Sequence, residues 1–66
     1  MSVAKVVELI SEGDTIEEAV AKAAEQASKT LRNVRSVNVE NIKALVERGK
    51  VVQYRVNVKV TFVVED

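Results

Sequence analysis

Residues 51–64 read Val-Val-Gln-Tyr-Arg-Val-Asn-Val-Lys-Val-Thr-Phe-Val-Val and carry the most regular pattern in the chain. From residue 52 to residue 62, apolar and polar side chains alternate, which is the period of a β-strand with one buried face. The predicted buried face carries Val52, Tyr54, Val56, Val58, Val60, Phe62 and Val64. The opposite face carries Gln53, Arg55, Asn57, Lys59 and Thr61. The pattern predicts a long strand that packs on one face.

The preceding segment predicts a hairpin partner for this strand. Residues 47–50, Glu-Arg-Gly-Lys, are typical of a tight turn in which Gly49 takes the left-handed position. Residues 34–48 form the partner strand, but their apolar alternation changes phase. The odd-numbered set is Val37 and Val39, and the even-numbered set is Ile42, Ala44 and Val46. One extra residue near positions 40–41 brings both sets to one side, so a β-bulge is predicted there.

Residues 15–31 predict the single helix. Thr15 at the N-cap and Glu18 three residues later form a capping box, and Asn33 is the expected C-cap. One stripe recurs at helical spacing and consists of Ile16, Val20, Ala23, Ala27 and Leu31. Because most of these side chains are small, we expect a sheet to approach the helix axis closely.

Residues 2–10 predict the first strand, with Val3, Val7 and Leu9 on one face, and residues 11–14 predict a turn with a positive φ at Gly13. The order β-α-β-β predicts an α+β fold, a three-stranded antiparallel sheet wrapped on one helix, as a single domain over residues 1–66.

A strand of about 15 residues spans ~50 Å, whereas a helix of about 17 residues covers ~26 Å. The hairpin must project beyond the helix with apolar side chains exposed, so a monomer is the least expected state.

Composition excludes several classes of function. Ten Lys plus Arg balance ten Asp plus Glu, which argues against nucleic-acid binding and against a polybasic membrane-surface patch. Cys and His are absent, so thiolate or imidazole metal ligands and Cys/His or Ser/His catalytic pairs are excluded. Apolar runs of two or three residues are far shorter than the roughly 20 of a membrane span. We expect no membrane segment, no signal peptide and a cytoplasmic location.

The residues do not predict catalysis. The adjacent acidic pairs are Glu17-Glu18, which suits a helix N-terminus, and Glu65-Asp66 at the end of the sequence. Neither pair has a plausible acid, base or nucleophile beside it. Gly13 and Gly49 are the two glycines, so there is no glycine-rich loop for phosphate. We expect a protein that is not an enzyme.

Short motifs along the chain are informative in combination. They are residues 7–10 (Val-Glu-Leu-Ile), 27–34 (Ala-Ser-Lys-Thr-Leu-Arg-Asn-Val), 54–56 (Tyr-Arg-Val) and 60–66 (Val-Thr-Phe-Val-Val-Glu-Asp). Together with the element order, they resemble the dodecin family over nearly the whole chain. The resemblance implies a non-catalytic subunit of a hollow homododecamer. Typical members bind flavins in pairs at subunit interfaces, with storage or protective sequestration as the inferred role.

Two positions depart from the usual dodecin pattern. The resemblance implies a Trp that stacks on the flavin ring where Ser36 stands, and a Gln that hydrogen-bonds the flavin where Arg55 stands. Loss of a stacked aromatic, worth ~1–3 kcal/mol, weakens flavin binding about ten- to a hundredfold. A flavin-poor branch, reported to bind calcium, lacks the Trp and has Arg after the Tyr. The pairs Arg35-Ser36 and Tyr54-Arg55 resemble that branch.

The residues leave several ligands as alternatives. Arg35, Arg55 and Lys59 could attract a carboxylate or phosphate, or could form a solvated face or inter-subunit ion pairs. The candidate calcium ligands are Asn38, Glu40 and Asn41. Calcium takes six to eight oxygens, so symmetry-related subunits would have to contribute; these residues could also be simply exposed. We expect a shell that sequesters a small ligand or ion, with flavin binding weak or lost. The alternative is riboflavin or FMN storage, as in typical dodecins.

Overall fold

The computed structural model describes residues 3–64, which form one helix and one three-stranded sheet. The elements are β1 (Val3–Gly13), α1 (Ile16–Thr30), β2 (Val34–Glu47) and β3 (Lys50–Val64). β3 lies in the centre and pairs antiparallel with both neighbours, in the order β1-β3-β2. This is the predicted β-α-β-β fold. Ser2, Glu65 and Asp66, which the predictions also included, lie outside the described residues.

The core is small and lies where α1 crosses the middle of β3. Its fully buried residues are Ala19, Ala23 and Ala27 from the helix and Val56, Val58 and Val60 from the strand. Ala19 was missing from the predicted stripe. The predicted buried face of β3 is buried only in its middle: Tyr54, Phe62 and Val64 are half-buried and Val52 is exposed. The cause is length, because the helix spans ~23 Å of a fold that is 52 Å long.

β1 is longer than predicted, and Gly13 has a different role. Residues 11–13 are not a turn but continue the strand, since they pair with residues 54–56. The positive φ expected at Gly13 is wrong, because among the described residues it occurs at Asn33, Arg48 and Gly49. Gly13 is buried, and a Cβ there would lie 2.7 Å from the backbone nitrogen of Ala19. Glycine is required because the helix begins directly against the strand.

Hydrogen bonds at both ends of α1 set its limits. Thr15 is the N-cap, as predicted, and its Oγ1 accepts a bond from the Glu18 N–H at 3.0 Å. The Glu18 carboxylate contacts Lys22 Nζ at 3.3 Å. The first half of the predicted capping box is therefore present, while the carboxylate serves an i,i+4 ion pair on the helix surface.

The C-terminal end of α1 corrects a second prediction. The C-cap is Leu31, whose N–H donates to Ala27 O at 2.9 Å, and not Asn33. Asn33 has a φ of 59°, a left-handed conformation that asparagine tolerates. Its carbonyl accepts from the Val63 N–H at 3.1 Å, and its Nδ2 donates to Val63 O at 3.4 Å. Asn33 thus turns the chain from the helix into β2.

The hairpin between β2 and β3 has the predicted turn and bulge. Gly49 has a φ of 78°, as expected, and Arg48 also has a positive φ of 52°. Val39 lies opposite Val58 and Asn41 opposite Asn57, so Glu40 is the extra residue of the predicted bulge. Two further register shifts, which the sequence pattern did not reveal, leave Arg35 and Val52 as extra residues.

The bulge at Glu40 aligns the two apolar sets of β2. Residues that lie opposite one another in an antiparallel pair share a face. The pairs are Val37 with Val60, Val39 with Val58, Ile42 with Val56, and Ala44 with Tyr54. The apolar residues of β2 on both sides of the bulge therefore belong to the helix-facing side, as the phase change predicted.

Replacing Gly13 with alanine should destabilise the fold. The new Cβ overlaps backbone atoms of the first helical turn, which cannot move aside as a flexible side chain can. We expect Gly13→Ala to lower the free energy of unfolding by about 1–3 kcal/mol, measured by urea denaturation at matched protein concentration. Gly49→Asn is the control, because its surroundings are open and asparagine accepts the positive φ. Equal stability of Gly13→Ala and the parent chain would contradict this account of the helix start.

Candidate functional site

The face of the sheet opposite α1, here called the outer face, carries most of the polar residues of the three strands. Its organisation follows from the register, because each β3 residue lies between one partner on β1 and one on β2. The rows are Glu12–Arg55–Lys43, Ile10–Asn57–Asn41, Glu8–Lys59–Asn38 and Val6–Thr61–Ser36. Four predicted site residues, Ser36, Asn38, Asn41 and Arg55, therefore lie on this one face.

Arg55 is held by Glu12 across the β1–β3 pair. Its Nε donates to Glu12 Oε2 at 2.7 Å, and its Nη2 lies 2.5 Å from the same oxygen. The two side chains are 43% and 36% exposed. Such a solvent-exposed pair contributes at most about 1 kcal/mol to folding. The contact therefore mainly orients the guanidinium on the outer face.

Lys59, the second predicted cation, is also paired within the chain. Its Nζ lies 3.6 Å from Glu40 Oε1, and Asn38 Nδ2 donates to the other oxygen of that carboxylate. Arg55 and Lys59 thus form ion pairs within the chain, whereas the sequence pattern left inter-subunit pairs as one alternative. Arg35, the third predicted cation, is exposed and lies in the bulge next to Ser36.

Two of the three predicted calcium ligands meet in one subunit. Asn38 and Glu40 are hydrogen-bonded, whereas Asn41 lies in the next row, opposite Asn57. Within residues 3–64, acidic side chains do not form a group of three that could hold a metal ion. The predicted calcium site is therefore a partial ligand set in a single chain, and its carboxylate already faces an ammonium group.

The two positions at which the dodecin resemblance implies flavin contacts, Ser36 and Arg55, are far apart within the chain. Ser36 pairs with Thr61, which is six residues along β3 from Arg55. At ~3.3 Å per residue, the separation is about 20 Å. One chain does not bring these two positions together, so a single small ligand that contacts both must lie between subunits.

A shallow concavity on the outer face surrounds Arg55. Its volume is about 430 Å³, and its lining residues are Ile10, Asn41, Ile42, Lys43, Arg55 and Asn57. Arg55 and Asn41 were predicted site residues, whereas Lys43 and Asn57 were not. The alternation of β3 placed Asn57 beside Arg55, but only the register of β2 brings Lys43 to the same place.

Aliphatic side chains are exposed on both faces of the sheet. The large ones are Val3, Val6, Ile10, Val39, Ile42, Val46, Val51 and Val52. Several belong to the hairpin end, beyond the reach of the helix, where Val46 is 59% exposed. Exposed apolar surface of this kind marks association sites.

The fold is that of a small domain in which a three-stranded sheet packs on one helix and presents a largely polar outer face. The dodecin family model matches residues 3–65. The chain belongs to the dodecin family, whose members are small, non-catalytic flavin-binding proteins. The sequence-based recognition of the family is confirmed.

Solved dodecin structures superpose on the whole fold. An arginine-to-alanine mutant of the dodecin from Thermus thermophilus is 31% identical, with a TM-score of 0.92 and 100% of both chains covered. The dodecin from Streptomyces coelicolor is 29% identical, with a TM-score of 0.90 and coverage of 98% of this chain and 94% of that one. The dodecin from Streptomyces davaonensis, at 20% identity, a TM-score of 0.90 and 98% and 97% coverage, shares the fold.

Two further findings complete the comparison. Dodecin homologues form homododecamers, while a search of curated proteins returned no match. Over the part of the chain that the structure describes, no helix combines the length and apolar character needed to cross a membrane.

Proposed function

We propose that residues 1–66 form a single dodecin-like domain that assembles into a cytoplasmic, non-catalytic homododecameric shell. The shell sequesters a small ligand or ion at its subunit interfaces, and its flavin binding is weak or lost. The observation that carries this proposal is the separation of about 20 Å between Ser36 and Arg55 on one outer face. A ligand that uses both positions needs a second subunit.

The apolar surface supports assembly independently. Ile42 and Val46 are 54% and 59% exposed in the single chain, at the end of the hairpin that α1 does not cover. Within residues 3–64, the buried hydrophobic core consists of six residues, all alanine or valine, and small domains are marginal alone. The chain has no Cys for a disulfide, so association is the available means of covering this surface.

The outer face supports weakened flavin binding. The Thermus thermophilus dodecin carries a tryptophan, the residue changed to phenylalanine in one of its mutants, whereas this chain contains no Trp. Tyr54 and Phe62, its two aromatic residues, lie on the helix-facing side of β3 and are half-buried. Neither is placed to stack on a ring bound to the outer face.

The mass of the purified protein in its native state tests the proposal. We expect a species of twelve chain masses that carries no flavin, measured by native mass spectrometry without added ligand. Ile42→Glu should shift the distribution to smaller species, because it places a charge on the apolar hairpin. Lys29→Glu, on the exposed side of the helix, is the control and should leave the number of chains in the native species unchanged.

The other outcomes of this measurement are also decisive. A monomer or dimer would overturn the shell. A dodecamer whose excess mass matches riboflavin or FMN would support the alternative, in which the chain binds and stores flavin as typical dodecins do.

Restoring an aromatic at position 36 should restore flavin binding. We expect Ser36→Trp to bind riboflavin at least about tenfold more tightly than the parent chain, because stacking adds ~1–3 kcal/mol. Quenching of riboflavin fluorescence measures the affinity. Ser28→Trp, on the exposed side of α1, is the matched control and should not increase it. If both variants quench equally, position 36 is not part of a flavin site.

Calcium is the ion that the branch resemblance indicates, with Asn38, Glu40 and Asn41 as the proposed ligands. Glu40 supplies the single carboxylate of this set, and Lys59 already lies 3.6 Å from it. A bound cation must therefore displace that ammonium group and gain further oxygens from neighbouring subunits.

Calcium should raise the Tm of the assembled protein, since a ligand that binds only the folded state stabilises it. We expect Glu40→Ala to abolish the rise and Lys59→Gln to enlarge it, because the competing ammonium is removed. Glu47→Ala, at the end of β2, is the control and should keep the response. A Tm that calcium leaves unchanged in the parent chain would exclude Glu40 as a calcium ligand.

A further inference from the structure

Two cations lie directly opposite each other on the outer face. Lys43 on β2 pairs in register with Arg55 on β3, and like charges in this arrangement destabilise a sheet. Glu12 neutralises Arg55 from the β1 side. In the ion pairs formed among residues 3–64, Lys43 does not take part. The row Glu12–Arg55–Lys43 thus carries one uncompensated positive charge, next to β2.

Hydrogen-bonding groups around this charge remain available. Arg55 uses Nε and Nη2 for Glu12 Oε2, which leaves the two N–H groups of Nη1 for another acceptor. Asn57 and Asn41 lie side by side in the adjacent row, and each amide can both donate and accept. These donors converge on the concavity that Lys43 lines.

The same concavity has an apolar wall. Ile10, on the outer face, is 68% exposed and lines it, whereas Ile42 borders it from β2 with its side chain on the helix-facing side of the sheet. Its volume of about 430 Å³ lies within the range of small-molecule sites. The floor is the surface of a β-sheet, so a flat ligand would bury more of its own surface there than a bulky one.

We infer that this concavity binds a small anion with a flat apolar body, of which an aromatic carboxylate is the simplest form. The carboxylate lies between Lys43 and the Nη1 group of Arg55, the ring lies along Ile10, and the two asparagines bond to polar ring substituents. The inference rests on the proposed function and deepens it by naming the chemical class of the ligand held near Arg55. Such a ligand supplies the negative charge that the row lacks.

Salicylate is a suitable probe, because it is a fluorescent aromatic carboxylate, and salicylamide is its neutral counterpart. In low-salt buffer we expect the assembled protein to bind salicylate at least about tenfold more tightly than salicylamide. Inorganic phosphate should compete only weakly, because it has no ring to place against Ile10. Equal binding of salicylate and salicylamide, or phosphate binding as tight as salicylate, would overturn the inference.

Substitutions at position 43 test whether the charge of Lys43 causes the preference for salicylate over salicylamide. Lys43→Gln should remove most of the preference for salicylate over salicylamide, and Lys43→Arg should retain it. Lys50→Gln, at the exposed start of β3 and outside the concavity, is the control and should behave as the parent chain. A preference that survives in Lys43→Gln would overturn the assignment.

The negative charge that compensates Lys43 comes either from a ligand or from a second subunit. The Tm of the ligand-free Lys43→Gln variant distinguishes these two sources. If a ligand supplies it, Lys43→Gln should raise the Tm, because the repulsion with Arg55 is relieved. A lower Tm together with a loss of native mass would place a neighbouring subunit's carboxylate on Lys43 and overturn the inference. A dodecamer that shows no anion preference leaves the shell intact and rejects only this ligand. Absence of the dodecamer rejects the proposed function itself.

Discussion

The structure depends on the close contact between the alanine face of α1 and the valine face of β3. Ala19, Ala23 and Ala27 lie against Val56, Val58 and Val60, and all six side chains are buried. Alanine has no side chain beyond Cβ, so the helix can approach the sheet closely. The same approach requires glycine at residue 13, where the strand meets the first helical turn. The small size of the contact leaves the ends of the sheet uncovered.

The uncovered sheet connects the fold to its function. A helix of 15 residues cannot cover a β3 of the same number of residues, since the rise per residue is ~1.5 Å in a helix and ~3.3 Å in a strand. The hairpin end therefore presents apolar side chains such as Ile42 and Val46 to its surroundings. In a family whose members assemble as homododecamers, this surface supports the proposal that subunits complete one another's cores and ligand sites.

On the outer face, charge compensation separates the residues into two groups. Lys59 and Glu40 neutralise each other, as do Arg55 and Glu12, and such exposed pairs add little to stability. Lys43 lies beside Arg55 without a carboxylate of its own within residues 3–64. The proposed anion site follows from this imbalance. The proposed calcium ligands lie outside this row, and the two flavin positions are divided between Arg55 in this row and Ser36 three rows away.

Features that are local to one segment could be predicted from the amino-acid sequence. The alternation in residues 52–62 predicted β3, and the phase change of β2 predicted the bulge near Glu40, because apolar residues repeat with the period of a strand. Thr15 marked the start of the helix, because its side chain can cap the first helical turn. The short motifs in β1, near the helix end and in β3 indicated the family only in combination with the element order.

Only the tertiary structure decided relations between distant segments. The register places Lys43 beside Arg55 and separates Ser36 from Arg55 by about 20 Å. The position of the helix explains why residue 13 is glycine: a Cβ there would contact the helix backbone, while its φ is not positive. The two-residue alternation of a strand indicates on which face of the sheet a residue lies. It does not indicate which residue of the neighbouring strand lies opposite. Cross-strand neighbours are set by how three strands and a helix pack together, and no single segment encodes that packing.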